Sequence, residues 1–485
     1  MQLLQVPYRL SSLSALAALS VLAAAPSVLA QTPGAVSPSG VSPSGVSPST
    51  GSPNSAPRDT VPPPVIQPLP VDPALPPAVP LPPPSAQLPP SSQLPQSEFP
   101  PPAPLAAPSP LEEAPKPAHE GLHFSAFVDA NYGFQTQKPG TPVPAHRAYE
   151  WNSFGTDAAT GNSYSAQNGF GLSFAGIDAN YDAGQLGATI SLRAGPSVPI
   201  FYGGDTGPLG LDNITQAFVS WNPARQLSID FGQFSTIFGA EVAESWQNLN
   251  YSRGALYYLM QPFWHTGLRA TVSPNDKVAV TGMVVNGVNS AHDDNESPAL
   301  ALQLSLTPNE IFSLSAGWLT TPQPSSDGSN FDNFFDLVAS LTVDRFSLVV
   351  NADLDVNADK RNTGPGYFQR VQNPMFWGVS LAAGYQATDL FGLALRGEYL
   401  SDSDNQLYKV TRTQQGVTYP HTQETNLVTV TGTLDFKPVK GAANLIIRWD
   451  NRIETSNEDI FFNRSEKSTN VWFGTVLGLV VTTDS

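Results

Sequence analysis

FGQFSTIFGAEVAESWQNLNYSRGALYYLMQPFWHTGLRATVSPNDKVAVTGMVVN, residues Phe231 to Asn286, is the stretch around which the rest of the chain reads as a frame. It leaves one strand, in which Leu227, Ile229 and Phe231 alternate with Ser228, Asp230 and Gly232. It enters another, in which Leu268, Ala270 and Val272 alternate with Gly267, Arg269 and Thr271. Alternation with period two marks an extended segment with one apolar and one polar face. Between the two strands, residues 235–262 far exceed the usual hairpin loop of about 2–5 residues. They carry Glu241, Glu244, Trp246, Tyr251, Arg253, Tyr257 and Tyr258, too polar and too aromatic for a slack connector. This pattern predicts a segment that folds back inside a β-barrel and narrows its lumen.

The same period extends outward from this stretch. In Leu122–Phe134, residues Phe124, Ala126, Val128, Ala130 and Tyr132 share one face, while Ser125, Asp129 and Asn131 share the other. Comparable segments recur from Phe170 to Val481, about sixteen in all, an even number as expected of single-chain bacterial barrels. Very short turns, among them Asp182-Ala183-Gly184, Val343-Asp344 and Thr388-Asp389, alternate with long connections near 135–168, 195–211, 235–262, 357–373 and 401–422. Short turns on one rim and long loops on the other predict an all-β, transmembrane antiparallel barrel, with both chain ends on the short-turn side. A soluble sandwich or propeller also uses many short strands. It does not suit the strand in which Phe346, Leu348, Val350, Ala352 and Leu354 oppose Asn351, Asp353, Asp355 and Asn357, because those polar groups would be costly in a packed interior.

If the apolar faces meet hydrocarbon, parity assigns the inward set: Arg193, Asp230, Arg269, Asp353, Asp355, Arg396, Glu398, Arg448, Asp450 and Arg452, with Asp129 and Asp435 beside them. Mixed charge in a narrow pore filters hydrated solutes. Arg396, Arg448 and Arg452 lie on near-neighbour strands and form one basic wall. Glu241 and Glu244, with Tyr251, Arg253 and Tyr257 on the same infolded segment, are expected to face that wall across a constriction. The alternative is that these charges pair with one another as wall salt bridges.

Composition agrees with this reading. The 485 residues include 48 prolines, no cysteine and a net charge of -17, so disulfides and thiolate metal sites are excluded and nucleic acid is a poor partner. Mean hydropathy is -0.14, which fits a barrel that alternates two faces. Residues 1–30 read as a signal peptide, with Arg9, an apolar run from Leu10 to Ala25, and Val28-Leu29-Ala30 before Gln31. In residues 31–118 proline makes up about a third of the chain, against an average of about 5%. Proline removes backbone donors, so this segment is expected to be a disordered, extended periplasmic linker, either a tether toward the cell wall or a passive extension. Residues 119–485 form the barrel.

Six dispersed histidines and the absence of His-Glu-x-x-His, phosphate-loop and Gly-x-Ser-x-Gly patterns argue against an enzyme. His265 is the one strand histidine that a lipid-face hydrolase could use. Acidic runs at 293–296 and 402–405 lack the spacing of a calcium loop, so no metal or other cofactor is expected.

The motifs Gly232-Gln233-Phe234, Gly239-x-Glu241, Asn248-Leu249-Asn250-Tyr251-Ser252-Arg253, Gln261-Pro262-Phe263-x-His265-Thr266-Gly267-x-Arg269 and Val285-Asn286-Gly287 resemble the signature of the OmpL-like β-barrel porins. Arg396-Gly397-Glu398-Tyr399 and Arg448-x-Asp450-x-Arg452 are weaker echoes, the latter with aspartate where that family tends to carry glutamate. The resemblance covers the barrel and none of the linker. It implies an outer-membrane pore for passive diffusion of small hydrophilic solutes, in contact with outer-membrane lipid and with the outer-membrane assembly machinery. By analogy with porins of this size, the expected assembly is a homotrimer. The alternative function is a surface adhesin or cell-wall anchor with a plugged lumen.

Overall fold

The computed structural model describes residues 121–483, apart from 141, 144–151, 156–162, 203–212, 294–296, 323–330, 358–359, 362–369, 372–373, 404–410, 415–416, 421–423 and 442. The signal peptide and the proline-rich segment lie outside the described residues.

Sixteen strands close into one antiparallel barrel in which neighbours in sequence are neighbours in the sheet. They are β1 Gly121–Gln135, β2 Gly169–Asp182, β3 Leu186–Ala194, β4 Ile214–Ala224, β5 Leu227–Ser235, β6 Trp264–Asn275, β7 Val278–Val285 and β8 Ala299–Asn309, followed by β9 Phe312–Pro322, β10 Phe331–Val343, β11 Phe346–Val356, β12 Met375–Gln386, β13 Phe391–Asp402, β14 Thr425–Val439, β15 Asn444–Ser456 and β16 Val471–Thr482. The seam is β1 against β16, in register from Phe127↔Thr482 to Gln135↔Gly474. Closure leaves no strand edge unpaired, which a membrane requires because hydrocarbon offers backbone groups no partner.

The two-residue period places each side chain. Outward positions are exposed and apolar: Phe124 (67%), Val219 (57%) and Leu395 (57%) are examples. Their neighbours in sequence point inward and are covered, Asp129, Asp450 and Arg452 completely. Outward aromatics gather toward both rims. Tyr132 contacts Phe170, and Trp377 contacts Tyr399, on the long-loop side, while Phe391 stacks on Phe436 at the other. Such belts suit the two membrane interfaces.

The short-turn rim is built by tight reversals. Between β10 and β11 the two-residue turn Asp344-Arg345 puts Asp344 at φ 52, a left-handed conformation that aspartate tolerates. Among the described residues, two short α-helices sit on the opposite connections: α1 Val198–Phe201 between β3 and β4, and α2 Ala255–Met260 between β5 and β6.

The lumen's charge is unevenly distributed. Among the described residues, the inward faces of β7, β8 and β9 carry no charged side chain; they present Ala279, Thr281, Gln303, Ser305, Ser313 and Ser315. Charge is concentrated on β1–β3, β5, β6, β10, β11 and β13–β15.

Adjacent residues on β8 test the two faces. Leu304→Arg, at the outward mid-strand position, is expected to lower folding stability by about 2–4 kcal/mol, the cost of a cation near the bilayer midplane, while the inward Ser305→Arg changes it far less. Urea titration of vesicle-folded protein reads both. Equal losses would contradict the assignment of faces.

Candidate functional site

The segment joining β5 to β6 enters the barrel, as its length and composition predict. An irregular backbone inside a membrane protein needs a partner for each N–H and C=O. Here the strands supply charged ones. Arg448 donates to the carbonyls of Ser245, Leu249 (2.6 Å) and Asn250 (3.4 Å). Arg396 donates to Ser252 O at 2.7 Å, and Arg452 to Arg253 O at 2.8 Å. Carboxylates of the same wall take the N–H groups. Asp450 accepts Tyr251 N (3.2 Å), Ser252 N (2.8 Å) and Ser252 Oγ (2.7 Å). Glu398 accepts Ala255 N (3.1 Å) and Leu256 N (3.0 Å), so a strand carboxylate caps the first turn of α2. Asp129 accepts Tyr251 Oη and Ser245 Oγ, both at 2.7 Å.

Apolar packing seats the segment between these anchors. Tyr251, Leu256, Leu259 and Met260 lie against inward Leu400, Leu427, Trp472, Val476 and Val480. A second cluster joins Tyr257 and Trp264 to Phe127, Phe174 and Phe201. Close approach explains two wall glycines: a Cβ at Gly478 would collide with the Tyr251 ring, and one at Gly317 with Phe238. Gly254 is likewise boxed in by the carboxylates of Glu398 and Glu241.

The predicted site residues separate into two groups. Glu241 meets Arg396 (2.5 Å) and lines a narrow cleft of about 20 Å³ between the segment and β11–β13, together with Asn250, Gln261, Asn351, Ser380 and Arg396. Glu244, Tyr251, Arg253 and Tyr257 do not line it. Glu244 turns away from the Arg396 wall and binds Arg193 (2.9 Å) and Tyr202 Oη (2.6 Å). Burial, and then the Glu244 carboxylate, push the Tyr202 phenol well above its usual range, so it remains a donor. Arg253 is fully buried, with its guanidinium 4.0 Å over the Phe201 ring. The expectation that Glu241 and Glu244 face the basic wall across open space is therefore corrected: Glu241 touches the wall, and Glu244 belongs to another cluster. Nonlocal packing decides this, because both residues alternate on one irregular stretch with no period to orient them.

All ten residues assigned to the wall by parity point inward. Arg269 pairs with Asp230 (2.8 Å), and Arg193 also binds Asp178 (2.9 Å). Arg396 sits 3.3 Å from Glu398, and Arg452 binds Glu454 (2.8 Å). Asp353 lies opposite Asp336 in the β10–β11 register, and Asn351 Nδ2 donates to both at 2.9 Å. Asp355 is half-buried one step nearer the long-loop rim. Glu398, Asp450 and Arg452 are covered by the segment rather than facing an aqueous path. His265 is buried, with Nδ1 2.9 Å from Gly287 O, away from the outer face that a lipid hydrolase would use.

Sequence reading did not assign Tyr202, Gln261 or Asn351 to the site. Gln261 bridges segment to wall through Asn351 Oδ1 (2.6 Å) and Asp353 (3.1 Å). Parity places Asn351 inward, but nothing local announces its partner.

A family model described as "Putative beta-barrel porin-2, OmpL-like" matches residues 121–481. A search of curated proteins finds no match. Among solved structures the chain is similar to the anion-selective porin from Comamonas acidovorans (13% identity, 74% of this chain and 99% of that one, TM-score 0.45). It is also similar to the outer membrane channel DcaP of Acinetobacter baumannii (14%, 74% and 96%, 0.44) and to Salmonella typhi OmpF in complex with daunomycin (12%, 75% and 98%, 0.47).

Replacing Arg448 by methionine removes three carbonyl contacts and leaves Asp435 without its partner. The variant is expected to lose about 3–5 kcal/mol of stability, as when one half of a buried pair is deleted. It should also expose the bond after Arg253 to trypsin, which the buried wild-type segment resists. Mass spectrometry of digested, vesicle-folded protein reads the cut; an unchanged digest would mean that Arg448 does not hold the segment.

Proposed function

Since the chain belongs to the family described as Putative beta-barrel porin-2, OmpL-like, we propose that it is an outer-membrane porin through which small hydrophilic solutes diffuse passively past the infolded segment. The cleft beside Glu241 and Arg396 carries this reading. Polar Asn250, Gln261, Asn351 and Ser380 interrupt an otherwise apolar lining that includes Leu256 and Val349, and Leu249 borders both this cleft and a wider vestibule at the short-turn rim. In the proposal the short-turn rim faces the periplasm, residues 1–30 direct export, and residues 31–118 hang as a periplasmic tether. Contact with the assembly machinery and a homotrimeric state belong to the same proposal.

Selectivity then resides at one contact rather than along a mixed-charge tube. In a narrow cleft between low-dielectric walls the Glu241–Arg396 pair sets the local field, and neutralising the carboxylate shifts that field toward the guanidinium. A second reading, an adhesin or anchor with a plugged lumen, draws support from the complete burial of Tyr251, Ser252 and Arg253.

Planar-bilayer recording separates the two. The porin reading expects steady ohmic steps, whereas well-inserted protein without conductance favours the anchor. Glu241→Gln is expected to shift the reversal potential in a salt gradient toward anions, and Glu244→Gln to leave it nearly unchanged. An equal shift from both would place the selectivity element elsewhere.

A further inference from the structure

Beneath the infolded segment, toward the short-turn rim, lies an open vestibule of about 120 Å³ roofed by Trp246, Gln247, Asn248 and Leu249. Its charged lining is Arg345, Lys437, Arg448 and Asp435. One pair is self-contained: Arg448 binds both oxygens of Asp435 (2.8 and 3.2 Å) and gives its other donors to the roof carbonyls. The remaining two cations are underused. Lys437 makes one long hydrogen bond, to Gln386 Oε1 at 3.4 Å. Arg345 donates to Ala387 O at 3.0 Å, and its nearest carboxylate, Asp389, stands at 4.0 Å and is mostly exposed. Asp344 lies in the same turn on the rim, and Lys440 adds to the positive side beyond Lys437. In a chain of net charge -17, this is a concave site with cations in excess.

We infer that the vestibule is a binding station for small multivalent oxyanions, molecules carrying two or more carboxylate or phosphate groups. Arg345 offers a planar fork for one oxyanion group, and Lys437 a point charge for a second. Low-dielectric walls strengthen both relative to open solvent. A solute held here waits at the foot of the cleft, below Arg396. Its part in transport rests on the porin reading, but the binding itself does not.

Trp246 in the roof allows the two to be tested separately. The full folded chain in detergent is titrated with citrate and, in a second arm, with pyrophosphate, while tryptophan fluorescence is followed; Trp246→Phe identifies the signal. A saturable change is expected, and Arg345→Gln with Lys437→Gln should weaken it about tenfold, in keeping with the loss of two partly screened charges. The charge-preserving pair Arg345→Lys with Lys437→Arg should keep most of the affinity, which separates lost charge from lost folding. Response to one arm alone assigns the anion as carboxylate or phosphate. In bilayers, citrate on the short-turn side should reduce the current, and on the other side much less. No saturable change, or binding indifferent to the double glutamine variant, overturns the site. Binding without conductance leaves the site standing and removes the porin reading.

Discussion

An irregular peptide segment cannot lie inside a membrane barrel unless its backbone polar groups are satisfied, and here charged strand side chains satisfy them. Arg396, Arg448 and Arg452 take carbonyls from Ser245 to Arg253, while Asp450 and Glu398 take N–H groups from Tyr251 to Leu256. Each such bond is charge-assisted and stronger than its neutral counterpart. Donors and acceptors alternate along the wall because Arg448, Asp450 and Arg452 occupy successive inward positions of β15. The wall is thus a template that fits one conformation of the segment.

This arrangement also resolves how so many ionised groups can be buried. An unpaired charge in the interior is costly, and deleting one partner of a buried pair leaves the other exposed to that cost. Glu398 lies between Arg396 and Arg452 and also receives Thr429 Oγ1 at 2.6 Å, so its carboxylate is surrounded by donors. Apolar contacts then add the nonspecific part of the attachment. Gly478 and Gly317 leave the hollows into which Tyr251 and Phe238 fit, and burying such rings from water is worth on the order of 1.5–3 kcal/mol each.

The division of charge around the barrel follows from where the segment docks. β13–β15 and β1 carry the charged groups that hold it, whereas β7–β9 hold its start, Ile237 and Phe238, through apolar Met283, Val285 and Leu319 and the uncharged Gln303. The cleft by Arg396 and the vestibule by Lys437 lie where the two kinds of surface meet the infolded chain.

Sixteen strands, their inward and outward faces, the alternation of short and long connections and the entry of one long segment were legible in the amino-acid order. Each depends on local period two, and a sheet with hydrocarbon on one side and polar groups on the other imposes that period residue by residue. Residues such as Arg193, Asp230 and Arg452 were therefore assignable to the interior by parity alone. Pairing was not legible. That Glu244 meets Arg193 and Tyr202 while Glu241 meets Arg396, or that Tyr251 reaches Asp129 some 122 residues away in sequence, depends on how an aperiodic segment settles into a closed barrel. The amino-acid order determined which face of each strand meets which medium, and only the tertiary structure decided which buried charge meets which partner, because the first is a local property of the backbone and the second exists only once the ring of strands has closed around the segment.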